Sequence, residues 1–167
     1  MKSIMGVALV GVVVGGFLVP MHAVEAGHDI DTDIPDGFHD AYALASGTAV
    51  AALYAVDAVM ISDAFPFPLT GRTTIAAAED ALFGSFCDPE WTATSVLRHG
   101  KSLAIEYTLA VDFCGEFPGP DGALIEPTGE RITLELATFI ETKHGLITHE
   151  RRYANVSALY AQLLAPQ

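Results

Sequence analysis

Two hydrophobic rhythms run along this chain. A period near 3.6 marks an amphipathic helix, and alternation marks a half-buried strand. The last third shows both. Glu130 to Glu141 (ERITLELATFIE) is long and rich in Ile, Thr, Leu and Phe, which predicts a strand. Lys143-His144-Gly145 predicts a turn, Leu146 to Ala154 (LITHERRYA) a returning strand, and Val156 to Leu164 (VSALYAQLL) a short amphipathic helix. Upstream, Phe38 to Ser46 is Ala-rich and favours helix. Gly47 interrupts it, and Thr48 is placed to cap a second helix through about Val56, with Val50, Leu53 and Tyr54 on one face. Ala58 to Ser62 predicts a short apolar strand. Phe65-Pro66-Phe67-Pro68 reads as a rigid aromatic loop, because its prolines have no N–H for a ladder.

Thr70-Gly71-Arg72-Thr73 opens a third helix, whose Ile75, Leu82, Phe83 and Phe86 recur at helical spacing and predict a core face. Asp88-Pro89 ends it. Trp91 to Arg98 predicts a strand, His99-Gly100 a turn, and Leu103 to Cys114 a long strand. Gly115 to Gly129 holds three prolines and four glycines, so it reads as a loop between strands. The order is helix, helix, strand, helix, four strands in antiparallel succession, and a closing helix. That pattern predicts an α+β fold with helices against one face of a curved sheet.

Length and charge narrow the class. A chain of 167 residues suggests one domain. Residues 1–26 read as a secretory signal peptide: Lys2 is the charged start, Ile4 to Val19 is apolar, Pro20 breaks the run, and Val24-Glu25-Ala26 offers a cleavage site. The apolar run is short for a bilayer span of about 20 residues. The expectation is therefore a secreted or periplasmic protein with no stable membrane span after cleavage. Residues 27–37 read as an acidic linker, in which His28, Asp31 and Asp33 form either a cation contact or a solvated tail, and 38–165 as the folded domain. With 21 acidic against 8 basic residues, the formal charge of −13 argues against nucleic acid and anionic lipid as partners. Neither the two cysteines nor the six histidines have metal-site spacing, and no Gly-rich phosphate loop follows a strand. No metal and no cofactor are predicted.

Turn positions estimate which side chains meet. A hairpin about His99-Gly100 places Cys114 opposite Ser85, two residues from Cys87. A small bulge would bring Cys87 and Cys114 within the ~4.4–6.8 Å Cα range of a disulfide. The other reading is two reduced, buried thiols. On the long strand Leu103, Ile105, Tyr107, Leu109, Val111 and Phe113 make the better core face. A last hairpin about His144 places Tyr153 opposite Glu135 and Arg151 opposite Ala137. A loop centred on Gly122 places Tyr107 near Ala137. On that register Glu135, Ala137, Phe139, His149, Arg151, Tyr153 and Asn155 share the face of Phe113. A slip of one residue inverts the assignment. Glu135 and Arg151 would then pair on an apolar face, as a structural ion pair or as a pair that orients a substrate oxygen. Asn155 is also a strong helix N-cap, and Tyr153 a core phenol with one hydrogen bond.

These residues carry a resemblance. Thr70-Gly71-Arg72, the long strand ending in Cys114-Gly115-Glu116-Phe117, and Pro127-Thr128-Gly129-Glu130-Arg131 appear in order. His144-Gly145-Leu146-Ile147 follows, then Glu150-Arg151-Arg152-Tyr153-Ala154-Asn155 and Leu159 to Leu163. From Phe38 to Leu164 the chain resembles SnoaL-like proteins of the nuclear-transport-factor-2-like superfamily, which also contains ketosteroid isomerase and limonene-epoxide hydrolase. The resemblance implies a cone-shaped α+β barrel, with a bent antiparallel sheet wrapped on N-terminal helices around an apolar pocket, a short C-terminal helix, and a homodimer. Polyketide cyclases of the family use an Asp on the last strand and a His on the long strand; this chain has Asn155 and Phe113 there. An amide cannot exchange a proton near neutral pH, but it can donate to an oxyanion. The resemblance implies a small apolar or polycyclic ligand and, in an enzyme, acid/base isomerisation, cyclisation or hydration. The candidate catalytic residues are Glu135 as base, Arg151 poising it, Tyr153 and Asn155 as donors, and Asp63 as reserve acid, with Asp57 behind it. Tyr54, Phe65, Trp91 and Phe113 would wall the pocket. A binding protein without catalysis and a structural or dimerisation module are the alternatives.

Overall fold

The computed structural model describes residues 33–165. The signal-peptide reading, and the linker reading over residues 27–32, lie outside the described residues. The helix α1 (Asp33–Ala43) begins earlier than expected and takes in the last residues of the expected linker. Ile34, Phe38, Ala41 and Tyr42 are all buried, so its amphipathic stripe extends one turn further back.

Two elements follow, α2 (Gly47–Ala51) and β1 (Tyr54–Ser62). The cap of α2 is Ser46, whose Oγ accepts from the Ala49 N–H, rather than Thr48. The helix is also shorter than expected. Tyr54 to Val56 are strand, in keeping with the β-branched Val56, Val59 and Ile61 that continue β1. Gly47 is required by close approach: a Cβ there would sit 2.0 Å from the Ala76 carbonyl oxygen. Next come β2 (Leu69–Thr70) and α3 (Arg72–Ser85). The sheet continues with β3 (Phe86–His99) and β4 (Ser102–Phe113). A small β5 (Phe117–Pro118) and β6 (Leu124–Ile125) pair within the connecting loop. The chain ends in β7 (Arg131–Lys143), β8 (Leu146–Ala154) and α4 (Val156–Leu163).

The six-stranded sheet has the order β2-β1-β8-β7-β4-β3. Its pairs are antiparallel except β1 with β8, which run parallel. The β7–β8 hairpin turns through His144 (φ 55°) and Gly145 (φ 76°). This tight left-handed turn favours glycine.

The helices α1, α2 and α3 cover one face of the sheet. The main core gathers Phe38, Tyr42, Val50, Tyr54, Met60, Ile75, Trp91, Ile105, Ile140 and Ile147. A second cluster of Phe86, Val111, Phe113, Ile132 and Leu163 lies toward α4. The β4 face is as expected, with Leu103, Ile105, Tyr107, Val111 and Phe113 all buried.

One register differs from expectation and inverts a face. Tyr107 pairs with Leu136 rather than standing near Ala137. A shift of one residue sends Ile132, Leu136, Thr138 and Ile140 inward and Glu135, Ala137 and Phe139 outward. The physical reason is the larger apolar gain from burying the Ile and Leu set. The last hairpin is also shifted, by two residues, so that Tyr153 faces Ala137 and Arg151 faces Phe139. That shift keeps their shared face, so Arg151 and Tyr153 follow Glu135 outward.

Candidate active site and its cavity

A cavity of about 380 Å³ opens between α3, the inner sheet face and α4. Its walls are mostly apolar and include Phe65, Leu82, Phe83, Phe86, Leu136 and Tyr160. That volume falls in the range of small-ligand pockets, ~300–1,000 Å³. At one end the wall turns polar, where Tyr42, Glu79, Tyr107 and Arg152 meet it.

These groups belong to a buried network. Glu79, Glu150 and Arg152 are 1 %, 3 % and 6 % exposed. Arg152 Nη1 donates to Glu79 Oε1 at 2.8 Å, and its Nε donates to Glu150 Oε1 at 2.9 Å. The Tyr42 hydroxyl donates to Glu79 Oε2 at 3.2 Å. Glu150 also accepts from the Tyr54 hydroxyl and, at 2.8 Å, from Thr138 Oγ1. Burial alone would lower the Arg152 pKa. The negative charge of Glu150, with that of Glu79 behind it, outweighs that and holds it well above its usual value. Burial, before any neighbouring charge, raises the phenol pKa of Tyr42, Tyr54 and Tyr107. All three stay protonated donors at neutral pH.

Tyr107 differs from the other two. It is 3 % exposed and lines the cavity, yet its hydroxyl makes no hydrogen bond among the described residues. No fully buried side-chain oxygen there lacks a partner. The Tyr107 hydroxyl therefore opens onto the cavity space, where it can donate and accept.

Of the residues expected at the site, some lie elsewhere. Glu135 and Arg151 are exposed on the outer sheet face, and Tyr153 is 47 % exposed beside Phe139 there. Glu135 and Arg151 form no ion pair with each other. The correction follows from the one-residue register shift. Asn155 lines the cavity mouth, and its Oδ1 accepts from Ala158 N–H at 3.0 Å as the cap of α4. Asp63 accepts from the Ala154 N–H at 3.0 Å beside the mouth. Asp57 is exposed. Of the four expected wall residues only Phe65 lines the cavity. Tyr54 sits in the network behind it, Trp91 is buried against Phe38 and Tyr107, and Phe113 packs on Phe86. Cys87 and Cys114 are joined by a disulfide, with Cα atoms 6.0 Å apart. Cys114 N–H donates to the Ser85 carbonyl, as the hairpin estimate placed it.

The network itself was missed. Glu79 carried a signal: it sits four residues after Ile75 and four before Phe83, an acid inside an apolar helical stripe. Glu150 and Arg152 carried none on their own, because either set of alternate residues on β8 is polar. Among the described residues no three His, Cys, Asp or Glu side chains gather as a metal-binding group, and no helix is long and apolar enough to cross a membrane.

A bent sheet wrapped on helices around an apolar cavity defines an α+β cone of the nuclear-transport-factor-2-like kind. The family profile described as a SnoaL-like domain matches residues 36–150, and the chain belongs to that family. Solved structures agree on the fold. A hypothetical protein with the ketosteroid isomerase-like fold from Catenulispora acidiphila, solved in complex with trimethylamine, is 21 % identical with a TM-score of 0.67, over 81 % of this chain and 95 % of that one. A SnoaL-like polyketide cyclase candidate from Jannaschia sp. CCS1 is 17 % identical with a TM-score of 0.67, over 92 % and 100 %. An LEH-like epoxide hydrolase from M. tuberculosis is 21 % identical with a TM-score of 0.57, over 77 % and 85 %. No curated protein sequence matches significantly.

Proposed function

We propose that this chain is an exported SnoaL-like protein that binds a small apolar or polycyclic molecule, whose one polar group lies against Tyr107, Glu79 and Arg152. The observation that carries this reading is the free Tyr107 hydroxyl at the polar end of an otherwise apolar cavity. Export is supported by the apolar run Ile4 to Val19 and by the disulfide, which persists in oxidising compartments. Native mass spectrometry of protein purified from the exported fraction of its host tests the whole reading. The expected result is a small-molecule adduct lost on denaturation, a chain beginning at Gly27, and a mass two hydrogens short. A protein that carries no adduct and takes up no apolar reporter dye would sink the binding reading.

Acid/base catalysis is the second reading. It is favoured by the placement of Glu79 on the cavity wall, where its carboxylate uses two of about four acceptor sites. In this reading Glu79 takes the role first considered for Glu135, Tyr107 and Asn155 donate to a developing oxyanion, and the chemistry is isomerisation, cyclisation or hydration next to a carbonyl. A pH–rate profile whose acidic limb disappears in Glu79→Gln would support it. The homodimer belongs to the same proposal. It is supported by the outer sheet face, where Phe139, Tyr153 and Ile61 stand exposed.

A further inference from the structure

The buried network at the polar end of the cavity holds more negative than positive charge: Glu79 and Arg152 line the wall, and Glu150 lies behind it. Glu79 and Glu150 share the single guanidinium of Arg152. Two carboxylates against one guanidinium leave one formal negative charge without a counterion. All three side chains are buried, so water and salt screen that excess poorly. Arg72 does not offset it: its guanidinium donates to the Tyr54 backbone carbonyl and makes no ion pair among the described residues. Buried charge requires a partner.

A second observation is independent of the first. Tyr107 is buried, points into the same space and has no partner for its hydroxyl. The rings of Tyr42, Phe83 and Phe86 line that space as well. Aromatic faces attract organic cations, and more strongly when water is excluded. A neutral ligand would leave the excess charge uncompensated, and an anionic ligand would add to it.

We infer that the polar group recognised in this cavity is a cationic nitrogen, so that the ligand class is apolar amines protonated at neutral pH. The N–H donates to the Tyr107 oxygen, the alkyl groups lie against the aromatic wall, and the charge compensates the Glu79 side of the network. This rests on the cavity being the ligand site.

The test compares three probes on the full chain at neutral pH by calorimetry. They are N,N-dimethylbenzylamine, its neutral isostere isobutylbenzene, and the anion phenylacetate. The amine should bind at least about tenfold more tightly than its isostere, and phenylacetate more weakly than both. Glu79→Gln leaves Arg152 paired with Glu150 and removes the excess charge, so the preference for the amine should vanish. Tyr107→Phe keeps the charge and should weaken the amine about threefold or more. Equal binding of amine and isostere overturns the cationic class while the cavity reading stands. A preference that survives Glu79→Gln overturns the charge argument. Binding of none of the three overturns both readings. Should Glu79→Gln fail to fold, the wild-type comparison and Tyr107→Phe still decide.

Discussion

Arg152 is the side chain on which the interior most depends. It neutralises one of two buried carboxylates and hydrogen-bonds both. Arg152→Met leaves Glu79 and Glu150 buried together without a cation. The expected cost is about 3–5 kcal/mol, read as a lower urea midpoint. Glu135→Gln, on the exposed outer face, should change stability by less than about 0.5 kcal/mol in the same assay. Comparable losses from the two substitutions would contradict the observed register. Tyr107 allows a pH prediction. Its phenol pKa is raised by burial, so the folded state holds a proton that the unfolded state loses above about pH 10. Its contribution to stability is fully present below that pH and is lost as pH rises toward the folded value. Tyr107→Phe should therefore make the fall of stability above about pH 10 shallower by about 1.4 kcal/mol per pH unit.

At the scale of elements, α4 is held by one cap and the β3–β4 hairpin by one covalent tie. Asn155→Ala removes the acceptor for the Ala158 N–H and should cost about 1 kcal/mol, whereas Asn155→Asp, an equally good cap, should keep the wild-type midpoint. Equal losses in both variants would mean that the amide does more than cap. The Cys87–Cys114 bridge joins the start of β3 to the residue after β4, across a separation of 27 residues. Reduction, or Cys87→Ser, should cost about 2–4 kcal/mol by freeing the unfolded chain. Thermal unfolding with and without reductant measures it. The element boundaries that sequence misjudged have local causes. The second helix is expected through Val56 because Val50, Leu53 and Tyr54 fit a helical stripe, but Tyr54 pairs with Ile147 of β8 and, past an irregularity, Val59 to Ser62 pair with His149 to Arg152. Propensity over a few residues loses to a strand position in the sheet.

For the whole molecule, the outer sheet face is where the proposed homodimer would form. Phe139 at 55 % and Tyr153 at 47 % exposure stack edge to face with centroids 6.1 Å apart. If the proposed homodimer uses this face, Phe139→Asp should convert it to monomer in sedimentation velocity, with the far-ultraviolet circular dichroism unchanged. A dimer that persists would place the interface elsewhere. Dimer formation would also remove from water the residues that the first register assigned to a pocket.

The order of elements was legible in the sequence because periodicity is local. Ile75, Leu82 and Phe83 at helical spacing, alternation from Leu103 to Phe113, and the His144-Gly145 turn each predict their element from neighbours alone, whereas Phe86 and Asp88-Pro89, expected as the end of the third helix, lie in β3. The opposition of Cys114 and Ser85 was reached through offsetting departures: the hairpin turns one residue later than expected, with His99 facing Ser102, and register shifts between Ala93 and Ser95 and between Cys87 and Glu90 bring Cys114 back opposite Ser85. The face of β7 was not legible. A connection of 17 residues, from Cys114 to Glu130, separates β4 from β7, and the centre of so long a loop does not set pairing to one residue. Because side chains alternate with a period of two, that single residue exchanged Glu135, Arg151 and Tyr153 for Glu150 and Arg152. Sequence by itself determined the order of the main helices and strands and which face of β4 is core. Only the tertiary structure chose the polar groups enclosed with it, because their partners, Glu79 on α3, Tyr42 on α1 and Tyr54 on β1, come from elements far apart in the chain.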